Sequence, residues 1–307
     1  MSAELLDTVI AGGGVAGLTA GLFAARLGLS SLVLVADIPG GHLANVDRVH
    51  DFPGFLDGIA GYDLGPTIQE QAAQAGAAFQ MAEALSLAPL DGGWRLGTTD
   101  GDVEGRTVIV AAGSRSRSLG VPGEERLRGR GISTCASCDG PFLEGKPAIV
   151  VGGGDSAFQE ALTLAGFASE VLIVHDSELP TAQEVYRRGV RDHARIRVQG
   201  NIVVDEILGE TVVEAVRLRD SAGGATSLIE TAGVFVYIGL EPNTAFLRGV
   251  LRLDVGGRVP TDVWMRTELA GVFAAGDIRS DSGSQAVTAA GDGASAAIAA
   301  HRYLREL

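Results

Sequence analysis

Cysteine is almost absent: Cys135 and Cys138 are the only two in 307 residues. A structural zinc site takes about four nitrogen or sulfur ligands. Two cysteines and five scattered histidines argue against one, so no metal is expected. A bridge across so short a loop would add only about 2 kcal/mol. The pair is better explained by chemistry than by stability, and cysteine use this sparse suits a cytoplasmic protein. Aromatics are scarce at 5%, too few for a base-stacking platform. Positive charge is outnumbered, with 24 Lys and Arg against 38 Asp and Glu, a net charge of −14. Such a surface repels nucleic acid and anionic lipid, so neither is expected as a partner. The chain opens Met1-Ser2-Ala3-Glu4 with no basic leader. One long uncharged run exists, Thr8 to Ala25, but it holds five glycines. It reads as strand, turn and helix, not as a membrane span.

What is abundant is glycine, 44 residues. Part of it falls in an internal repeat. Asp7-Thr-Val-Ile-Ala-Gly-Gly-Gly-Val-Ala-Gly17 matches Pro147-Ala-Ile-Val-Val-Gly-Gly-Gly-Asp-Ser-Ala157 at an offset of 140 without a gap. Gly12, Gly14 and Gly17 fall on Gly152, Gly154 and Ala157. Each copy predicts an apolar strand, a tight glycine turn, a helix and a second strand, Ser31 to Val35 and Glu170 to Val174. In such a unit the first glycine makes the turn. The second lets a pyrophosphate approach the backbone, and the third packs helix on strand. The helix N-terminus then favours the anion. Tight strand-to-helix turns of an α/β protein use the same glycines, and that alternative is stronger for the second copy.

Further short buried strands are predicted at Thr107 to Gly113 and at Ala270 to Asp277. Ending a strand in Gly276-Asp277 leaves a carboxylate at the edge of the sheet where ligands bind. Ser284 onward predicts an Ala-rich helix to the C-terminus. The fold expected is α/β, with two Rossmann-like three-layer dinucleotide-binding domains. The first is discontinuous, residues 1–113 with 243–307. The second, 114–242, is inserted.

Cys135-Ala-Ser-Cys138-Asp139-Gly140-Pro141 lies in the insertion, just before the second glycine turn. In a C-x-x-C, one thiol becomes a thiolate nucleophile when its pKa is lowered. Asp139 is placed to act as general acid or base at the pair.

These motifs together closely resemble the low-molecular-weight thioredoxin reductases, over nearly the whole chain. Gly12, Gly14, Val15, Ala16 and Gly17 resemble the FAD pyrophosphate loop. Gly40-Gly41-His42-Leu43 and Asp51-Phe-Pro-Gly54 resemble segments around the flavin. Gly120-Val-Pro-Gly-Glu124 and Gly131 to Pro141 resemble the redox centre. Gly152, Gly154, Asp155, Ser156 and Ala157 resemble the pyridine-nucleotide loop. Gly276-Asp277 through Ser284-Gln285-Ala286 resembles the second FAD segment. The resemblance adds Asp37, Ala84, Ala112 and Gly113 to the FAD contacts. It implies a homodimer and a relay from donor to flavin, to the Cys135–Cys138 disulfide, to a thioredoxin-like protein. Cys138 would lie nearer the flavin and Cys135 would attack the partner. The inserted domain would swing between the two.

The departures concern the donor. NADPH-type members carry His-Arg-Arg and a third Arg four residues on, gripping the 2′-phosphate. Here the segment reads His175-Asp-Ser-Glu-Leu-Pro-Thr181, with no arginine at 176, 177 or 181. Asp176 repels a 2′-phosphate and suits a ribose 2′-hydroxyl, so NADH is favoured over NADPH. A solvated surface acid is the plainer reading of the same residue. Arg187 and Arg188 offer a substitute phosphate site or a solvated helix face. A non-nicotinamide donor such as ferredoxin, used by some branches of the family, also fits. His42 replaces a Gln, Asp51 an Asn, and Ser284 an Arg. Beside a flavin, His42 would tune its potential or donate one hydrogen bond. Two other readings stay open: an FAD-dependent dithiol oxidase, and a non-enzymatic flavin and dithiol redox sensor.

Overall fold

The computed structural model describes residues 5–307. The expectation of no basic leader at Met1–Glu4 falls outside the described residues. Two compact units form, one from Met1–Arg115 with Glu241–Leu307, the other from Ser116–Leu240.

The first unit opens with β1 (Leu6–Ala11), α1 (Val15–Arg26) and β2 (Ser31–Val35). It continues through α2 (Gly61–Ala75), β3 (Ala78–Met81), β4 (Ala84–Leu90), β5 (Gly93–Thr98) and β6 (Gly101–Val110). β7 (Ser114–Ser116) leads into the second unit. That unit holds α3 (Glu124–Leu127), β8 (Ile132–Ser133), α4 (Ala136–Asp139), β9 (Pro147–Val151), α5 (Asp155–Leu164) and β10 (Glu170–Val174). α6 (Glu184–Arg191) and β11 (Ile196–Gln199) follow. The strands β12 (Ile202–Leu208), β13 (Ala215–Asp220), β14 (Thr226–Glu230) and β15 (Gly233–Val236) complete it. β16 (Leu240–Pro242) returns to the first unit, which ends with β17 (Val272–Ala274) and α7 (Ala286–Glu306).

In the first unit the sheet order is β3-β2-β1-β6-β5-β4, with β17 also on β6. β3, β2, β1, β6 and β17 run parallel. Successive side chains of a strand face opposite ways. Ile10, Val33 and Ile109 therefore enter one core with α1, α2 and α7. Val9, Ala11, Leu34 and Val108 enter another with Leu87, Leu96 and Leu247. Burial on both faces explains why β1 and β2 read as unbroken apolar runs.

The second unit repeats the plan with a five-stranded parallel sheet, β11-β10-β9-β15-β8. Val150, Ile173 and Phe235 pack on α5 through Phe158 and Leu164. Ile149, Val151 and Val234 face the antiparallel meander β12-β13-β14 through Val204, Val216 and Leu218. Both second strands of the repeat fall on the expected residues. The Ala270–Asp277 strand is shorter than expected. Only Val272–Ala274 pair, and Gly276–Ile278 wind into a 3-10 turn. The run Thr8 to Ala25 is β1, the glycine turn and α1. Among the described residues no helix is long and apolar enough to cross a membrane.

Candidate active site

The glycine loop of the first unit follows β1. Gly12 has φ +130°, and a side chain there would come within 2.2 Å of the Ala111 carbonyl oxygen. One on Gly17 would come within 1.8 Å of the Gly12 oxygen. Both glycines are thus required by the fold itself. Gly14 differs: a side chain there would meet nothing within 4 Å. It caps α1, which has no side-chain cap and no acid in its first turn.

Three of the sequence segments converge on this loop, each at the C-terminal end of a parallel strand. The Gly40 amide donates to the Gly13 carbonyl at 2.8 Å, so Gly40-Gly41 folds back from the end of β2. Ala112-Gly113, after β6, are held by Asn243. Its side chain donates to the Ala112 oxygen at 2.9 Å and its amide to the Gly113 oxygen at 3.0 Å. Gly276, after β17, lies against Ala16 of α1. His42 Nε2 donates to the Ser114 carbonyl at 2.6 Å. Burial raises the pKa of Asp277, opposed by the Ser282 hydroxyl at 3.2 Å and by the charge of His42. His42 and Asp277 therefore share one end of the sheet. The Ala82 amide reaches the Val35 carbonyl at 3.0 Å, which places Ala84 by the same edge. Asp37 is exposed two residues past β2. Asp51 is exposed in the loop closed by the Val49–Ile59 bridge. Leu43 is half-buried on the apolar core. Gln285 caps α7 and exchanges bonds with Thr288, beside Ser284 at φ +50° and Ala286 at the first helical position.

In the second unit the loop repeats the first. Gly152 has φ +143°, and a side chain there would reach within 2.2 Å of the Tyr237 carbonyl oxygen. Gly154 caps α5, and Asp155, Ser156 and Ala157 form its first turn. The Gly153 carbonyl accepts the amides of Thr181 and Ala182 at 2.8 and 3.0 Å. Asp155 accepts the Gln183 amide at 2.7 Å and its side-chain Nε2 at 2.6 Å. Residues 181–183 are thereby strapped over the loop. Thr181 Oγ1 lies 3.8 Å from the space a Gly154 side chain would take. Asp176 is exposed at the end of β10, and burial holds His175 below the usual imidazole range. Arg187 is paired with Glu184 at 3.7 Å.

Cys135 and Cys138 are bonded to each other. Cys135 is buried and caps α4, and its sulfur accepts the Cys138 amide at 3.2 Å. Cys138 is exposed. Asp139 lines a cavity of about 340 Å³ with Arg130, Phe142 and Lys146. Among the described residues no cluster of His, Cys, Asp or Glu is placed to hold a metal.

Residues 6–293 match the pyridine nucleotide-disulphide oxidoreductase family. The chain is 40% identical over 307 residues to a thioredoxin reductase of Bacillus subtilis (strain 168), covering 99% of this chain and 96% of that protein. It is 36% identical over 301 residues to one of Treponema pallidum (strain Nichols), covering 98% of each. A crystal structure of Lactococcus lactis thioredoxin reductase superposes with a TM-score of 0.96 at 33% identity, over 98% of this chain and 100% of that one. The chain belongs to the thioredoxin reductases of this family.

Thioredoxin reductase membership implies FAD and a nicotinamide nucleotide. The first loop fits the pyrophosphate of FAD. Space is kept open at Gly14, and the first-turn amides of α1 have neither a capping side chain nor a competing acid. The second loop offers the same turn, with Asp155 in the first turn already engaged by Gln183. Sequence reasoning missed several supports. Asp292 of α7 accepts the Gly276 amide at 3.2 Å and pairs with Arg279. Asn243 pins Ala112 and Gly113, and Glu160 and Tyr237 lie beneath the dithiol. Only Asp292 left a trace, as an acid between two glycines in an Ala-rich helix.

Proposed function

We propose that the chain is an FAD-dependent reductase of thioredoxin-like proteins, and that its second glycine loop takes NADH in preference to NADPH. The observation carrying the reductase reading is the bonded Cys135–Cys138 pair, with Asp139 next in sequence and lining a cavity. Gly12–Gly17, Gly40–Leu43, Ala112-Gly113 and Gly276-Asp277 would hold FAD, which when bound supplies two-electron reduction of a disulfide. The exposure of Cys138 supports it as the sulfur through which the pair is opened, while Cys135, buried in this state, has to be uncovered before it meets the partner. In the opened pair, the Cys135 thiolate attacks a sulfur of the partner's disulfide, and one partner sulfur leaves as thiolate. Cys138 then attacks Cys135, closes the pair and frees the second partner sulfur. Two electrons pass to the partner, and Asp139 holds and returns a proton at the leaving sulfurs.

NADH is supported by what lies around the second loop. Thr181, Asp176 and Ser177 stand where a 2′-phosphate would need arginines, and Arg187 is engaged by Glu184. A lone catalytic cysteine pair suits a reducing cytoplasm. A homodimer follows from the resemblance, and sedimentation of the purified protein tests it.

The deciding experiment is anaerobic titration with NADH and NADPH separately, following bleaching of the flavin band. Bleaching by NADH at concentrations where NADPH is inert is expected. Equal or better bleaching by NADPH overturns the nucleotide assignment. Bleaching by neither, with reduction by ferredoxin, leaves the disulfide reading standing and removes the nucleotide from it.

A further inference from the structure

Glu160 is a carboxylate in the interior of the second unit, 6% exposed. It projects from α5, two turns past the glycine loop. Its Oε2 accepts the Ala136 amide at 2.8 Å, the first amide after Cys135. The same oxygen accepts the Tyr237 hydroxyl at 3.2 Å. A buried carboxylate is costly unless donors compensate it, and two donors on one oxygen are the coordination an ionised group takes. Tyr237 answers that charge. Burial first, then the Glu160 charge, push its phenol well above the ordinary value, so it remains a donor. Nothing in the exchange chemistry uses Glu160, yet it touches the segment that carries both sulfurs.

We propose that Glu160 is a positioning residue for the dithiol: through the Ala136 amide it fixes the start of α4, and it holds one negative charge beneath the pair. The inference rests on the reading that Cys135 and Cys138 open and close. Opening breaks one S–S bond and takes two electrons and two protons from a reducing dithiol, which itself becomes a disulfide. Several charged groups belong to the surroundings of the segment that carries the pair. Asp139 is on its own element, Glu160 is on α5, and Tyr237 follows β15. Arg130 and Lys146 line the cavity that Asp139 also lines. The two carboxylates oppose thiolate formation and the two cations favour it. Glu160 is the one that is buried, so solvent screens it least.

The test is made on the flavin-containing protein, its pair opened with excess small dithiol. Alkylation of each cysteine is then followed by mass spectrometry as a function of pH. E160Q keeps the shape and an acceptor for the Ala136 amide but removes the charge. It is expected to lower the pH midpoint of the reactive cysteine by roughly one unit. At pH 7 it should also shift the pair's equilibrium with glutathione several-fold toward the opened form, because a more acidic thiol stabilises the reduced state. E160D keeps the charge while disturbing the packing, and is expected to leave the midpoint near wild type. Y237F takes one donor from the same oxygen and is expected to move the midpoint upward, so failure of one variant to fold does not remove the test. Midpoints in E160Q and Y237F equal to wild type overturn the inference while the reductase reading survives. A wild-type pair that small dithiols do not open overturns both.

Discussion

Arg279 holds Asp292 by two parallel hydrogen bonds, Nε to Oδ2 at 2.5 Å and Nη2 to Oδ1 at 3.0 Å. The side chains are 16% and 10% exposed, and Oδ2 also takes the Gly276 amide. The pair thus ties the turn after β17 to α7. Removing one partner of a mostly buried pair strands the other. Asp292→Ala is expected to lower unfolding stability by about 2–4 kcal/mol and to loosen FAD. Urea denaturation and flavin release by dialysis measure the two effects. A variant as stable and as yellow as wild type contradicts this role.

Gly14 and Gly17 separate ligand from fold. Gly14→Ala adds a side chain that meets no protein atom within 4 Å. It is expected to fold with stability within about 1 kcal/mol of wild type but to bind FAD weakly. Gly17→Ala collides with the Gly12 carbonyl and is expected to lose about 3 kcal/mol or more. Thermal melts with absorbance at the flavin band distinguish them, and full flavin in Gly14→Ala would sink the placement of the pyrophosphate.

Cys138→Ser is expected to leave folded, yellow protein with no turnover of a thioredoxin-like disulfide. Stopped assays with a chemically reduced flavin and excess partner check it. Normal turnover would show that the pair is not the relay.

Asp277 makes stability depend on pH. Its folded-state pKa is raised, chiefly by burial, so the native state binds this proton more tightly than the unfolded chain. The stability it contributes is full below about pH 4, the unfolded value, and is lost as pH rises through the folded value. In flavin-free protein, Asp277→Asn is expected to be more stable than wild type at pH 7, with the gap gone below pH 4. Urea midpoints across that range decide, and a constant gap contradicts the sign.

Asp176→Arg, Ser177→Arg and Thr181→Arg combined place three guanidinium groups about the second loop. The triple variant is expected to reverse the nucleotide preference toward NADPH by at least about tenfold in kcat/KM. No change with either nucleotide would indicate that this loop does not deliver the electrons.

Ser31–Val35 and Glu170–Val174 were readable because each is buried on both faces and bounded by polar turns. The glycine turns were readable because a side chain at Gly12 or Gly152 has no room, which leaves one residue type. The pairing of Ala136 with Glu160 joins residues 24 apart on different elements. That of Asn243 with Ala112 joins residues 131 apart. No periodicity marks such partners, since each depends on where the sheet sets two elements side by side. β17 came out shorter than expected because Gly276 adopts φ +77° and turns the chain away.

The discontinuity of the first unit sets an order of events on the ribosome. α1 is made early, but Gly293 of α7 must seat against its Ala16 backbone, where a side chain at 293 would come within 2.0 Å of the Ala16 oxygen. Synthesis runs at roughly 5–20 residues per second, so the inner face of α1 waits on the order of tens of seconds for its partner. Residues 116–240, being contiguous, emerge whole in that interval. The second unit can therefore reach its native shape while the first is incomplete, and a ribosome that stalls just before Ala286 leaves every strand of the first sheet made but α1 without the helix that covers its inner face.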